Sequence, residues 1–136
     1  MPHLRPQPLI CVHDVEASGR WYQRLLGVNS AHGGPHYERL ECRRRRLILQ
    51  LHHWDAHTDE PGHQFIGDES DPSRGNGVLL WFAIDDFDAA MERVTEAAAE
   101  ILEGPFLNAG ARQREVWLRG PDGYVVVLAG PRTEPV

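Results

Sequence analysis

Lysine is absent from this chain of 136 residues, cysteine occurs only twice, and no apolar stretch approaches the roughly 20 residues that a membrane-spanning helix needs. No membrane partner is therefore expected. All fourteen basic residues are arginine, a bias for which the sequence offers no physical reason. Basic charge is also short: 20 acidic residues leave a formal net charge of −6, whereas nucleic-acid binding needs a basic face to neutralise phosphates. Cys11 and Cys42 both lie in strand-like runs, so they read as small buried apolar groups in a reducing compartment rather than as a disulfide. There is no Gly-x-Ser-x-Gly elbow and no phosphate-cradling glycine loop, and neither cysteine sits in an electropositive setting, which argues against covalent nucleophilic catalysis. The opening residues Met1-Pro2-His3-Leu4-Arg5-Pro6 lack the apolar core of a secretion signal, making the cytoplasm the expected compartment.

What is present is an ordinary globular composition, 41% apolar and 25% charged, on a chain long enough to bury about two-thirds of its unfolded surface. Its organising feature is an internal repeat. Ile10-Cys11-Val12-His13-Asp14-Val15-Glu16-Ala17 recurs 72 positions later as Phe82-Ala83-Ile84-Asp85-Asp86-Phe87-Asp88-Ala89. Each copy reads as an apolar strand, an aspartate suited to cap a helix, and an acidic first turn.

The first copy predicts a strand over 7–12 and a helix opened by Asp14 and stopped by Gly27, with Val15, Trp21 or Tyr22, and Leu25 as its buried stripe. Strands at about 27–32, 36–42 and 46–53 complete a β-α-β-β-β module. Arg43-Arg44-Arg45-Arg46 falls between the last two strands and reads as a solvated hairpin turn whose like charges keep a sheet edge from pairing. The second module predicts a strand over 77–84, a helix over 87–100, and strands near 101–107, 112–119 and 124–129, with Gly120-Pro121-Asp122-Gly123 as the final turn. One domain over 1–136 is expected, its modules spanning about 5–53 and 77–130 and joined by a long polar loop, 54–76.

These residues resemble the vicinal oxygen chelate superfamily, which includes glyoxalase I, extradiol dioxygenases, fosfomycin-modifying enzymes and bleomycin-resistance proteins. The resemblance rests on Val12-His13-Asp14, on the helix motif from Ala17-Ser18 through Trp21-Tyr22 to Leu25-Leu26-Gly27, on the second copy at Ile84 to Ala90, and on Gly120-Pro121-Asp122-Gly123-Tyr124-Val125-Val126-Val127-Leu128. It implies an α+β fold of two βαβββ modules forming an open, curled mixed sheet, completed by a homodimer partner. Family metal ligands come from the first and last strands of each module. Carried over, those positions are Gln7, Leu79, Gln50 (within one or two residues) and Val127. Leu79 and Val127 are hydrocarbon and the two glutamines are neutral, so the inherited metal site is expected to be absent and no cofactor is expected.

The period-two alternation of strands places Leu9, Cys11, Trp81, Ala83 and Val125 on the same face as those four positions, and places Glu115 and Trp117 there at matching parity. With His52, which shares the parity of Gln50, these residues make an apolar, aromatic candidate pocket. Glu115 is expected at the pocket rim, paired with an arginine such as Arg112, or awaiting a cationic ligand. His52, His53, His57 and His63 are too scattered for a ligand set, since adjacent His52 and His53 point to opposite faces. The expected function is metal-independent sequestration of a small organic ligand, aromatic or cationic, as in bleomycin-resistance proteins. The alternative is a lyase or dioxygenase with a relocated metal site built from Gln7, Gln50, His52 and Glu115.

Overall fold

The computed structural model describes residues 5–54, 61, 63–73 and 75–132, which fall into two compact units, Met1–Pro72 and Ser73–Val136. Unit 1 runs β1 (Leu9–Val12), α1 (Val15–Leu26), β2 (Asn29–Ser30), β3 (Tyr37–Cys42) and β4 (Arg46–His53). Unit 2 runs β5 (Leu79–Ala83), α2 (Phe87–Glu96), β6 (Glu100–Asn108), β7 (Gln113–Arg119) and β8 (Val125–Ala129). Each unit holds its own four-stranded mixed sheet, ordered β1-β4-β3-β2 and β5-β8-β7-β6, with one parallel pair, β1 with β4 and β5 with β8. The two copies of the βαβββ pattern thus have the same topology. Among the described residues, no helix is long and apolar enough to cross a membrane.

The repeat is visible at atomic detail in the helix caps. Asp14 and Asp86 take extended backbone angles, and each accepts a hydrogen bond from the amide three residues on, Ala17 and Ala89, at 3.0 Å. That bond satisfies one of the amides that a helix start leaves unpaired. Gly27 ends α1 in the left-handed region at φ 66°, where a Cβ would be strained. The buried stripe of α1 is Val15, Ser18, Gly19, Tyr22 and Leu25, and the sheet face with Ile10, Val12, Leu40, Leu49 and Leu51 is buried with it. Tyr22 takes the buried position; Trp21 is half-buried and meets its ring edge-on. In unit 2 the buried set is Phe87, Ala90 and Val94 of α2 with Leu80, Val116, Leu118, Val126 and Leu128 of the sheet. A Cβ at Gly130 would stand 3.1 Å from that of Phe87, so the absent side chain lets the first turn of α2 close on the end of β8.

Several boundaries depart from the sequence reading for identifiable reasons. The second helix ends at Glu96 rather than 100, because Ala98 turns to φ 50° and Glu100 already pairs with Arg119; alanine's helix preference is weaker than sheet registration. β2 is two residues long instead of spanning 27–32, because the amides of His32 and Gly33 are claimed by the Glu38 carboxylate, at 3.1 and 3.0 Å, and not by a strand. Arg43–Arg45 is indeed the turn between β3 and β4, yet those strands are interior, so the run protects no sheet edge. Within it Arg44 and Arg45 adopt φ 67° and 59°, a left-handed backbone that costs a non-glycine residue about 1–2 kcal/mol. Cys11 and Cys42 are half-buried rather than buried. Of the 54–76 connection, His63–Phe65 forms a short helical turn, and residues 55–60, 62 and 74 lie outside the described residues.

Candidate functional site

One face of each sheet carries the helix, and the candidate side chains stand on the other. In unit 1 the registers Leu9↔Gln50 and Arg39↔Gln50 put Leu9, Gln50 and Arg39 in one row across β1, β4 and β3. In unit 2 Trp81↔Val127 and Trp117↔Val127 make the corresponding row across β5, β8 and β7. Directly opposed residues of paired strands share a face, so each row is a set of touching neighbours. The same geometry makes Gln50 the counterpart of Val127.

The two rows have opposite chemistry. In unit 2 the rings of Trp81 and Trp117 approach edge to face, with centroids 6.1 Å apart and planes at 86°, an arrangement favoured by the indole quadrupole. Val127, their common neighbour, has no exposed surface, while Trp81 remains 44% exposed. Leu79 and Val125, also opposed in register, extend this face by one step. Behind Trp117 lies Glu115, 1% exposed. Its Oε1 accepts the indole N–H of Trp117 at 3.0 Å, and its Oε2 accepts the amide N–H groups of Asn108 and Gln113 at 2.9 and 3.1 Å. Burial alone would raise the carboxyl pKa; the hydrogen bonds from Trp117, Gln113 and Asn108 outweigh it and hold Glu115 below the usual glutamate range. The carboxylate is therefore not at a rim, and three neutral donors fill the place for which the sequence offered Arg112. Gln113, two positions before Glu115 on one strand face, was legible by parity; Asn108 was not, because two register shifts intervene along β6.

In unit 1 the row is polar at Gln50 and Arg39, with Leu9 as its one apolar member. Gln50 accepts the Tyr37 hydroxyl at 2.6 Å on Oε1 and donates from Nε2 to the backbone carbonyl of Gln7 at 3.1 Å. Gln7 itself stands exposed just ahead of β1. His52, opposed to Cys11 on one side and Tyr37 on the other, contacts the His53 carbonyl through Nδ1 at 2.7 Å, and its ring meets that of His63 edge-on at 5.1 Å. His53 pairs with Val12 and has the opposite parity, and His57 lies outside the described residues. Arg39 pairs with Glu41 at 2.5 Å, and that hydrogen bond raises its pKa further.

Glu38, on the helix-facing side of β3, was not singled out by sequence reasoning. It is buried and accepts the Ser30 hydroxyl at 2.6 Å and the amides of His32, Gly33 and Arg39. Desolvation pushes its pKa up, and these four donors more than reverse the push, so it too stays below the ordinary value. Its donors are all local, which marks it as the organiser of the 30–34 loop.

The positions that hold metal ligands in the resembled family do not fit an ion here. Leu79 and Val127 have no donor atom, Val127 is sealed beneath the tryptophans, and both ends of the Gln50 amide are engaged within unit 1. The oxygens of Glu115 are likewise met by N–H donors. Among the described residues, no three His, Cys, Asp or Glu side chains come together as an ion-holding group.

Comparison with known proteins agrees with the fold. A model of the Glyoxalase/Bleomycin resistance protein/Dioxygenase superfamily matches residues 2–128. Similar solved structures include one from the mobile metagenome of V. Pseudocholerae, 25% identical, TM-score 0.66, covering 98% of this chain and 97% of that one. A glyoxalase/bleomycin resistance protein/dioxygenase family enzyme from Burkholderia phytofirmans is 17% identical, TM-score 0.71, covering 91% and 95%. A lactoylglutathione lyase from Agrobacterium tumefaciens is 18% identical, TM-score 0.66, covering 95% and 94%. No curated protein matches the chain.

Proposed function

The chain belongs to the glyoxalase/bleomycin resistance protein/dioxygenase superfamily, and from that premise we propose that it binds a small organic molecule without the help of a metal ion, using the Trp81–Trp117 pair as an aromatic wall. The observation that carries this reading is that the row which supplies a metal ligand in relatives of this pattern is, in unit 2, a half-exposed tryptophan braced edge-on by a second whose indole N–H is fixed by a buried carboxylate. Such bracing lowers the ordering cost of binding, because the wall is already in place before a guest arrives. Its chemistry suits a flat aromatic group, or a cation over an indole face. Glu115 is not the recognition group: its oxygens are occupied, and its part is to hold Trp117. The relocated-metal alternative is disfavoured because both ends of the Gln50 amide and both oxygens of Glu115 are engaged in hydrogen bonds inside their own units, and because no three His, Cys, Asp or Glu side chains come together among the described residues.

The test is a tryptophan-fluorescence screen of aromatic and cationic compounds, with elemental analysis of protein purified without added metal. A hit is expected to shift or quench emission in the wild type. Replacing the exposed Trp81 by Ala is expected to weaken that hit by about tenfold or more. Stoichiometric zinc, nickel, iron or manganese, or affinity unchanged in Trp81→Ala, would overturn the proposal.

A further inference from the structure

Unit 1 contains a cleft of about 570 Å³ whose lining includes Arg5, Arg39, Arg44, Arg45 and Arg46 together with Gln7. Five arginine residues line one concavity of a chain whose formal net charge is −6, a local concentration of positive charge against the overall balance. Glu41 neutralises Arg39, and among the described residues Arg5, Arg44, Arg45 and Arg46 face no carboxylate. Arginine presents a rigid fork of N–H donors that matches the oxygens of a phosphoryl or phosphonyl group, so convergent unpaired forks are a recognition surface for that chemistry. The backbone supplies a second, independent sign. Arg44 and Arg45 occupy left-handed positions where Gly or Asn would sit without strain, so the turn spends stability to project arginine side chains. A purely solvated turn would gain nothing from that choice.

We propose that this cleft binds the phosphate or phosphonate group of a small molecule. The site lies wholly within unit 1 and does not depend on the tryptophan wall; either reading stands if the other fails. A folded-back nucleic acid backbone offers the same oxygens, but its repeated charge needs a basic stripe, whereas here the arginines converge on one hollow in an acidic protein.

Calorimetric titration in a chloride buffer with inorganic phosphate, phenyl phosphate and a short single-stranded oligonucleotide tests the proposal on the whole chain. Inorganic phosphate is expected to half-saturate the protein below about 10 mM, with phenyl phosphate tighter. In the double variant Arg44→Gly, Arg45→Gly, phosphate binding is expected to weaken at least about tenfold while the thermal midpoint rises, because glycine relieves the left-handed strain. The rise separates loss of the site from loss of the fold. The double variant Arg44→Lys, Arg45→Lys keeps the charge but not the fork, and an intermediate affinity supports recognition by guanidinium. No phosphate binding by the wild type, affinity undiminished in the glycine variant, or preference for the oligonucleotide over phenyl phosphate overturns it.

Discussion

Glu38 and Glu115 are two carboxylates that the fold removes from water and keeps ionised. Each does so with three or more N–H or O–H donors, and in each case the donors outweigh the desolvation that would otherwise raise the pKa. A folded-state pKa below the unfolded one means that the native state binds fewer protons in acid. The stabilisation is therefore complete above the unfolded value, about 4.3, and is lost as pH falls through the folded value. Thermal midpoints are expected to be insensitive to these two groups near neutrality and to drop on acidification below about pH 4. Glu115→Gln brings one carbonyl to three donors and sets its own amide hydrogens against them, so it is expected to cost about 1–3 kcal/mol at neutral pH. It is also expected to flatten the acid-side slope and to weaken the near-ultraviolet circular dichroism of Trp117. Equal acid slopes in wild type and variant would show that Glu115 is not one of the groups responsible.

At the scale of elements, the two helix starts are the same device used twice, and this makes a matched comparison. Asp14→Ala and Asp86→Ala each remove one side-chain bond at 3.0 Å to an amide three residues on, and each is expected to cost about 1 kcal/mol in the urea midpoint. Costs that differ several-fold would mean that one cap has a further partner. These caps, the stop at Gly27 and the limits of β4 were legible in the sequence because they depend on chemistry within one turn or one strand. The tryptophan face was legible for the same reason: period two fixes parity, and Trp81, Trp117 and Val127 share it. What could not be read are features that join distant segments. The Asn108 bond to Glu115 depends on register shifts along β6 beside Gly104, where a Cβ would stand 2.8 Å from the Glu115 carbonyl. The shortness of β2 follows from a buried carboxylate that takes up amides five and six residues before it, a pairing no propensity suggests, and the arginine cleft needs residues 5–7 beside a turn whose backbone angles are equally unsignalled.

For the molecule as a whole, the outstanding physical question is what covers β6. It is an edge strand of nine residues, and Ile101, Leu102 and Leu107 are among the exposed large apolar side chains, Leu107 at 61%. An edge of this length invites strand addition, but Pro105 lacks an N–H and the two register shifts break the ladder, so unlimited edge-to-edge growth is blocked. The apolar groups are thus placed for side-chain packing rather than for sheet extension. If the homodimer that the family resemblance implies forms, these side chains are where its packing is tested. A stable interface needs roughly 800 Å² from each partner, so more than these three side chains would be involved, Leu107 being the most exposed of them. Sedimentation at micromolar concentration is expected to give a dimer, and Leu107→Asp, which buries a charge only if the interface forms, is expected to give a folded monomer with an unchanged thermal midpoint when compared at equal dilution below the dissociation constant. A wild type that sediments as a monomer across that range leaves β6 solvated, with Pro105, the two register shifts and the charges of Glu100 and Glu103 together guarding the edge against association.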